Sequence, residues 1–276
     1  MIARLIAVSS LVLFVSTGPA NATPSPPYYL ALGDSLALGI QPNAAGVLVP
    51  TNQGYVDHLY ALAKLRQPSL RLAKLGCSGE TTTTMIGGGV CAYTLGSQLA
   101  DAVAFIQTHR VAFITLSIGG ANVLDCFSLA GIDPECVEDG LDAVGPELGQ
   151  ILAALRAAAG PRVRIIGMNY YDPFVAAWIL GPQGRALAAA SLQATNLLND
   201  LLGALYYAFQ VPVADVAGAY RINDDTLVPV FNLPLNVLLE LRWTWIGSSP
   251  PVGPDIHPNA TGYSVIALAF LKAFAG

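Results

Sequence analysis

Tyr28-Tyr29-Leu30-Ala31-Leu32-Gly33-Asp34-Ser35 is an unbroken apolar run that ends on a glycine and passes directly into an aspartate and a serine. A strand with one wet face would alternate apolar and polar residues, so a continuous run closed by a turn signal predicts a strand buried on both faces. Similar runs recur at residues 70–75, 111–118, 163–168 and 211–216. Helical patterns separate them. Val56, Leu59, Tyr60 and Ala63 share a face, residues 97–108, 141–158 and 185–209 have helical length, and residues 261–274 carry Tyr263, Ile266, Ala267, Phe270, Leu271 and Phe274 along one stripe. Strands joined by helix-length crossovers form parallel sheets covered on both faces. The expected fold is therefore α/β, a three-layer α/β/α sandwich with a five-stranded parallel sheet.

In such sheets ligands bind beyond the carboxyl ends of the strands. That rule selects Gly33-Asp34-Ser35, the segment 76–80, the segment 119–122 and the segment 169–173 as the places for chemistry. The segment 226–247 is strongly apolar, but Pro229, Asn232, Pro234, Asn236, Glu240 and Arg242 interrupt it. It is expected to be a partly buried loop and helix beside the site, with Trp243 and Trp245 adding apolar contact area, rather than a membrane span.

The chain has 276 residues, 54% of them hydrophobic and 11% charged, with a formal net charge of −5. This is ample material for a sizeable core and excludes a disordered chain. No cluster of Lys and Arg is present to neutralise phosphates, so nucleic acid is not an expected partner. Arg4, the apolar residues 5–15 and Ala20-Asn21-Ala22 have the order of an export signal, placing a cleavage after residue 22 and a single domain over 23–276. An extracellular or periplasmic location follows, with no membrane span in the mature protein and a monomeric state expected.

The four cysteines, Cys77, Cys91, Cys126 and Cys136, lie in the exported part, where thiols pair. Sequential pairing, Cys77 with Cys91 and Cys126 with Cys136, closes two short local loops and is the expected connectivity among three. No pair has the two-residue spacing of structural zinc sites, and no histidines are spaced as metal ligands, so neither a metal nor another cofactor is expected.

A serine hydroxyl becomes a useful nucleophile only beside a base. Of the three histidines, His58 falls inside an amphipathic helix. His109 closes a helix, where a cation meets the helix dipole favourably. His257 instead precedes Pro258 in an extended loop just before the last helix. Gly33-Asp34-Ser35-Leu36 near the mature N-terminus resembles the first block of the SGNH, or GDSL, hydrolases. Cys77-Ser78-Gly79-Glu80-Thr81 is similar to their second block, Gly120-Ala121-Asn122 to their third, and Asp255-Ile256-His257-Pro258 to their last, in the family's order.

That resemblance implies a flavodoxin-like SGNH hydrolase fold and a secreted esterase or lipase without a cofactor. It implies Ser35 as nucleophile, His257 as general base, and an oxyanion hole built from the backbone N–H groups of Ser35 and Gly79 and the side-chain amide of Asn122. Two positions depart from the pattern. The acid that orients the histidine usually stands three residues before it, where this chain has Pro254; Asp255, two residues before, is expected to serve, with a Ser-His dyad as the alternative. Val123 stands where an aspartate often follows the asparagine. Leu36, Ala37, Leu38 and the segment 231–245 suggest an acyl-ester substrate, either a small molecule or a lipid. A carbohydrate O-deacetylase and a catalytically silent secreted binding protein are the competing readings.

Overall fold

The computed structural model describes residues 25–128 and 131–275. The export signal expected over residues 1–22 lies outside the described residues. Five parallel strands form the central sheet: β1 (Tyr28–Gly33), β4 (Arg71–Lys74), β5 (Val111–Ser117), β8 (Arg164–Met168) and β9 (Val213–Ala214), in the order β4-β1-β5-β8-β9. Three antiparallel ribbons stand outside it, pairing β2 (Ile40–Pro42) with β3 (Leu48–Pro50), β6 (Phe127–Ser128) with β7 (Gly131–Ile132), and β10 (Leu227–Val228) with β11 (Leu233–Pro234).

The run that opened the sequence reading is the sheet's interior. Tyr29, Leu30, Ala31 and Leu32 are fully buried, as are Ile114 and Leu116 opposite them on β5. Helices cover both faces. On one, α2 (Tyr55–Arg66) packs against α10 (Ala260–Ala275); on the other, α4 (Gln98–Thr108) packs against α6 (Pro134–Ala159), and α6 against α7 (Pro182–Ala208). Shorter helices fill the strand ends: α1 (Ser35–Leu38), α3 (Thr82–Gly87), α5 (Ala121–Leu124), α8 (Val216–Ala219) and α9 (Leu235–Trp243). No helix of the described residues is long and apolar enough to cross a membrane.

The elements differ from the sequence reading mainly at their ends. α6 begins at Pro134 rather than near residue 141, because the Asp133 carboxylate accepts from the Glu135 and Cys136 N–H groups and Pro134 occupies the first turn, where its missing N–H costs nothing. β9 is shorter than expected, pairing only through Val213 and Ala214 at the sheet edge. The direction of travel reverses between β1 and β5: the chain leaves β1 to place β4 on one side and then crosses back to place β5 on the other. A crevice must open at their carboxyl ends.

Candidate active site

The turn after β1 is set by close contact. Gly33 pairs with Ser117 at the end of β5 with φ +123, and a Cβ there would run into the Ser117 carbonyl. Asp34 then caps the one-turn helix α1, accepting from the Leu36 N–H at 3.0 Å. The same carboxylate accepts from the Ser117 hydroxyl at 3.0 Å and from the Tyr170 hydroxyl at 2.6 Å. Burial pushes the Asp34 carboxyl up to about 6, with those hydrogen bonds opposing it. Ser35 therefore sits at the first position of a helix whose entry is fixed from three sides.

Its hydroxyl faces His257. Ser35 Oγ lies 2.9 Å from His257 Nε2, and His257 Nδ1 lies 2.9 Å from Asp255 Oδ1. With Nε2 accepting from the serine, Nδ1 carries the proton and donates to the carboxylate. Asp255 Oδ1 also accepts from the His257 backbone N–H at 3.0 Å. Burial acts to raise the Asp255 pKa, but the hydrogen bonds and charge of His257 outweigh it and hold the carboxyl below its ordinary value. The structure thus brings together Ser35, His257 and Asp255 although Pro254 holds the position where the acid was sought.

The histidine loop is braced by its neighbours. Trp245 N–H donates to the His257 carbonyl at 3.0 Å, Asp255 N–H donates to the Trp245 carbonyl at 3.2 Å, and the Tyr171 hydroxyl donates to the Ile256 carbonyl at 2.9 Å. The segment 226–247 is a partly buried loop and helix beside the site, as its interrupted apolar pattern leads one to expect. Trp243 packs edge-on against the buried Tyr220, the Trp245 indole donates to Gln41, and Phe231 is 46% exposed beneath Arg242. The segment holds the histidine loop and leaves the cleft wall to other residues.

The cleft encloses about 690 Å³, part of it open to solvent, and runs from Ser35, Gly79 and His257 between Val123, Leu124, Phe127, Phe174 and Leu198. Gly79, which lines the cleft with Ser35, has φ +81, a conformation glycine adopts without a Cβ penalty. Neither the Ser35 nor the Gly79 N–H has a hydrogen-bond partner among the described residues. Asn122 follows on α5. Its Oδ1 accepts from the Thr82 N–H at 2.9 Å and its Nδ2 donates to the Thr82 hydroxyl at 2.8 Å. Thr82 thus holds the amide from α3 and takes one of its two N–H groups. Gly120, Ala121, Val123 and Leu124 of the same segment line the cleft.

Sequence reasoning missed a buried network beneath these loops. The Gln98 side chain closes a two-bond ring with Gly33, accepting from its N–H at 2.6 Å and donating to its carbonyl at 2.9 Å, and also donates to Glu80 at 2.9 Å. Tyr93 donates to the same Glu80 oxygen at 3.0 Å. The nucleophile turn and the Gly79 loop are thus held by one side chain, and a glutamine inside an apolar helical stripe was the available signal. His58 and His109 lie elsewhere, near Ser264 and stacked on Phe105. The disulfides join Cys77 to Cys91 and Cys126 to Cys136. Among the described residues no group of His, Cys, Asp or Glu could hold a metal ion.

The structure is similar to phospholipase A1 from Streptomyces albidoflavus NA297 at 20% identity and TM-score 0.55, covering 91% of this chain and 98% of that one. It is similar to an extracellular lipase from Streptomyces rimosus at 18% identity and TM-score 0.57, covering 90% and 98%. It also resembles an acetyl-xylooligosaccharide esterase from Geobacillus at 16% identity and TM-score 0.54, covering 91% and 95%. At these identities the likeness establishes the fold. No curated protein matches the chain significantly. The profile of the GDSL-like lipase/acylhydrolase family matches residues 31–265, nearly the whole sandwich from β1 to α10, and the chain belongs to that family.

Proposed function

We propose that this protein is an exported serine ester hydrolase that cleaves carboxylic acyl esters through an acyl-enzyme on Ser35. The observation that carries the reading is the Ser35–His257–Asp255 line, with 2.9 Å at each step, opening into a cleft walled by apolar side chains. Ser35 Oγ attacks the ester carbonyl as His257 Nε2 takes its proton, and Asp255 holds the imidazole and balances the charge it gains. The oxyanion accepts from the Ser35 and Gly79 N–H groups. Collapse releases the alcohol, protonated by His257, and a water activated by the same nitrogen frees the acid. The amide N–H of Asn122 that Thr82 does not take is the third donor to the oxyanion.

An apolar cleft suits an acyl chain; a sugar would call for more polar side chains at the walls. The two disulfides fit an oxidising compartment. The test is covalent: a fluorophosphonate probe should add its mass to the peptide containing Ser35, and Ser35→Ala should abolish labelling. A folded protein that resists the probe and hydrolyses no p-nitrophenyl ester would instead favour a silent binding protein. Cleavage restricted to acetylated sugars would favour the deacetylase.

A further inference from the structure

Phe127 has two different surroundings. One side lines the catalytic cleft, where its ring stacks on Phe174 with centroids 4.9 Å apart and planes 13° from parallel. The other packs into a small separate apolar cluster with Cys126, Val137 and Ala194. Behind that cluster a second groove runs over the outside of α6 and α7, opening about 1050 Å³ to solvent; Val137, Leu141, Ala194 and Leu197 make most of its lining apolar, with Glu138 and Asp142 also lining it.

Helix α7 is the wall common to both spaces. Thr195 and Leu198, three apart, face the cleft; Ala190, Gln193, Ala194 and Leu197, spaced by three and four, face the groove. Phe127 is held against the cluster that backs the groove, because its strand partner is Ile132 and Cys126 is bonded to Cys136 on α6. The Phe127 ring and, behind it, the small side chains of Val137 and Ala194 stand between the cleft and a largely apolar trough.

We propose that Phe127, stacked on Phe174, is the stop that limits acyl-chain length, and that the α6–α7 groove is the path a longer chain takes when that stop is removed. The inference rests on the acyl-ester reading and adds its specificity-determining residue. In wild type the bound chain ends at the Phe127 ring, so methylenes beyond it remain in water and add nothing to binding. Opening the wall exposes Val137, Ala194 and Leu197 to the chain, and each methylene then buried contributes about fourfold.

The experiment compares wild type, Phe127→Ala, Leu197→Glu and the double variant on p-nitrophenyl butyrate, octanoate, laurate and palmitate. Labelling rates with butyl and dodecyl p-nitrophenyl phosphonates provide a second readout that needs no turnover. Wild type should peak at the medium chain. Phe127→Ala should raise the laurate-to-butyrate ratio of kcat/KM at least tenfold, and labelling by the dodecyl phosphonate should gain on the butyl one in parallel. Leu197 is 51% exposed, so Leu197→Glu alone should change little, whereas in the double variant its carboxylate should cancel the gain.

Equal losses at every chain length would overturn the proposal and leave Phe127 a packing residue. A long-chain gain indifferent to Leu197→Glu would overturn the groove. If Phe127→Ala does not fold, Phe127→Leu, which keeps the cluster apolar, should show a smaller shift in the same direction. The underlying reading fails separately: wild type would then neither cleave any of these esters nor react with either phosphonate.

Discussion

Ser35 Oγ and His257 Nε2 stand 2.9 Å apart although 222 residues separate them in the chain. The contact depends on two ends of the fold, the turn after β1 and the loop before α10, and each is fixed independently of the other. Ser35→Ala and His257→Ala are therefore expected to leave the circular dichroism spectrum unchanged. Each should lower kcat/KM for a p-nitrophenyl ester by at least about 1,000-fold, because nucleophile and base act as one unit. Either variant retaining tenth-level activity would remove that residue from the mechanism.

Asp255 has a gentler expected role. Its Oδ1 accepts from both the His257 ring and the His257 backbone, while Trp245 and Tyr171 brace the loop without it. Asp255→Asn should keep the loop in place but lose the charge that balances the imidazolium. We expect a loss of about 10- to 1,000-fold in kcat with little change in KM, smaller than for Ser35→Ala. A loss equal to that of Ser35→Ala would mean that the carboxylate is as indispensable as the nucleophile.

Thr82 holds the Asn122 amide through its N–H and its hydroxyl and leaves one amide hydrogen free for the oxyanion. Removal of an oxyanion donor costs about 100- to 1,000-fold in turnover. Asn122→Ala should therefore lower kcat by about that factor with KM nearly constant, and Thr82→Val, which cuts one of the two bonds that orient the amide, should cost less, about tenfold. Steady-state kinetics of the two variants decides the matter; a loss below about tenfold for Asn122→Ala would remove it from the oxyanion hole.

Much of this architecture was legible because its physics is local. The buried run 28–33, the helical stripes and the turn signals each report a nearby burial pattern, and Ser35 and His257 stand at chain positions that strand ends and proline mark out. What was not legible depends on direction. Gly120-Ala121-Asn122 reads as a block, yet a single helical turn sends successive side chains about 100° apart, and only the structure reveals that Thr82 on α3 holds the Asn122 amide. The make-up of the cleft wall was hidden for a similar reason. The segment 226–247 is apolar enough to line a pocket, but Trp243 spends its surface on Tyr220, while Phe127 and Phe174, one apolar residue each in loops of mixed character, make the wall by stacking.

The disulfides sit beside this machinery. Cys77 is two residues before Gly79, and Cys126 directly precedes Phe127. A disulfide closing a loop of about 15 residues is worth roughly 3 kcal/mol in the chain-entropy model. Reduction without denaturant should lower turnover before the far-ultraviolet circular dichroism changes, since a donor displaced by about 1 Å is costly in rate. Activity that falls only in step with unfolding would make the bridges purely stabilising.

Asp172 is fully buried behind the cleft, where Oδ1 accepts from the Phe174 N–H and Oδ2 from the Ser191 hydroxyl. Burial pushes its carboxyl up to about 7. Nearby Glu240 is also raised, by burial first and by Asp172 second, and among the described residues no group stands within hydrogen-bonding geometry of its two carboxylate oxygens. An acid whose folded pKa exceeds its unfolded one holds more protons when folded, so stability falls as pH rises from about 4 toward 7 and the deficit is fully present above 7. Asp172→Asn keeps an acceptor for Phe174 and can donate to Ser191, so it removes the buried charge without opening a cavity. It should stabilise the fold by about 1–3 kcal/mol at pH 8 and by much less at pH 5. Thermal unfolding of wild type and variant at the two pH values measures this directly. A variant equally or less stable at pH 8 would mean that the ionised carboxylate is well solvated by its partners and that Asp172 is kept for its hydrogen bonds as a charged group.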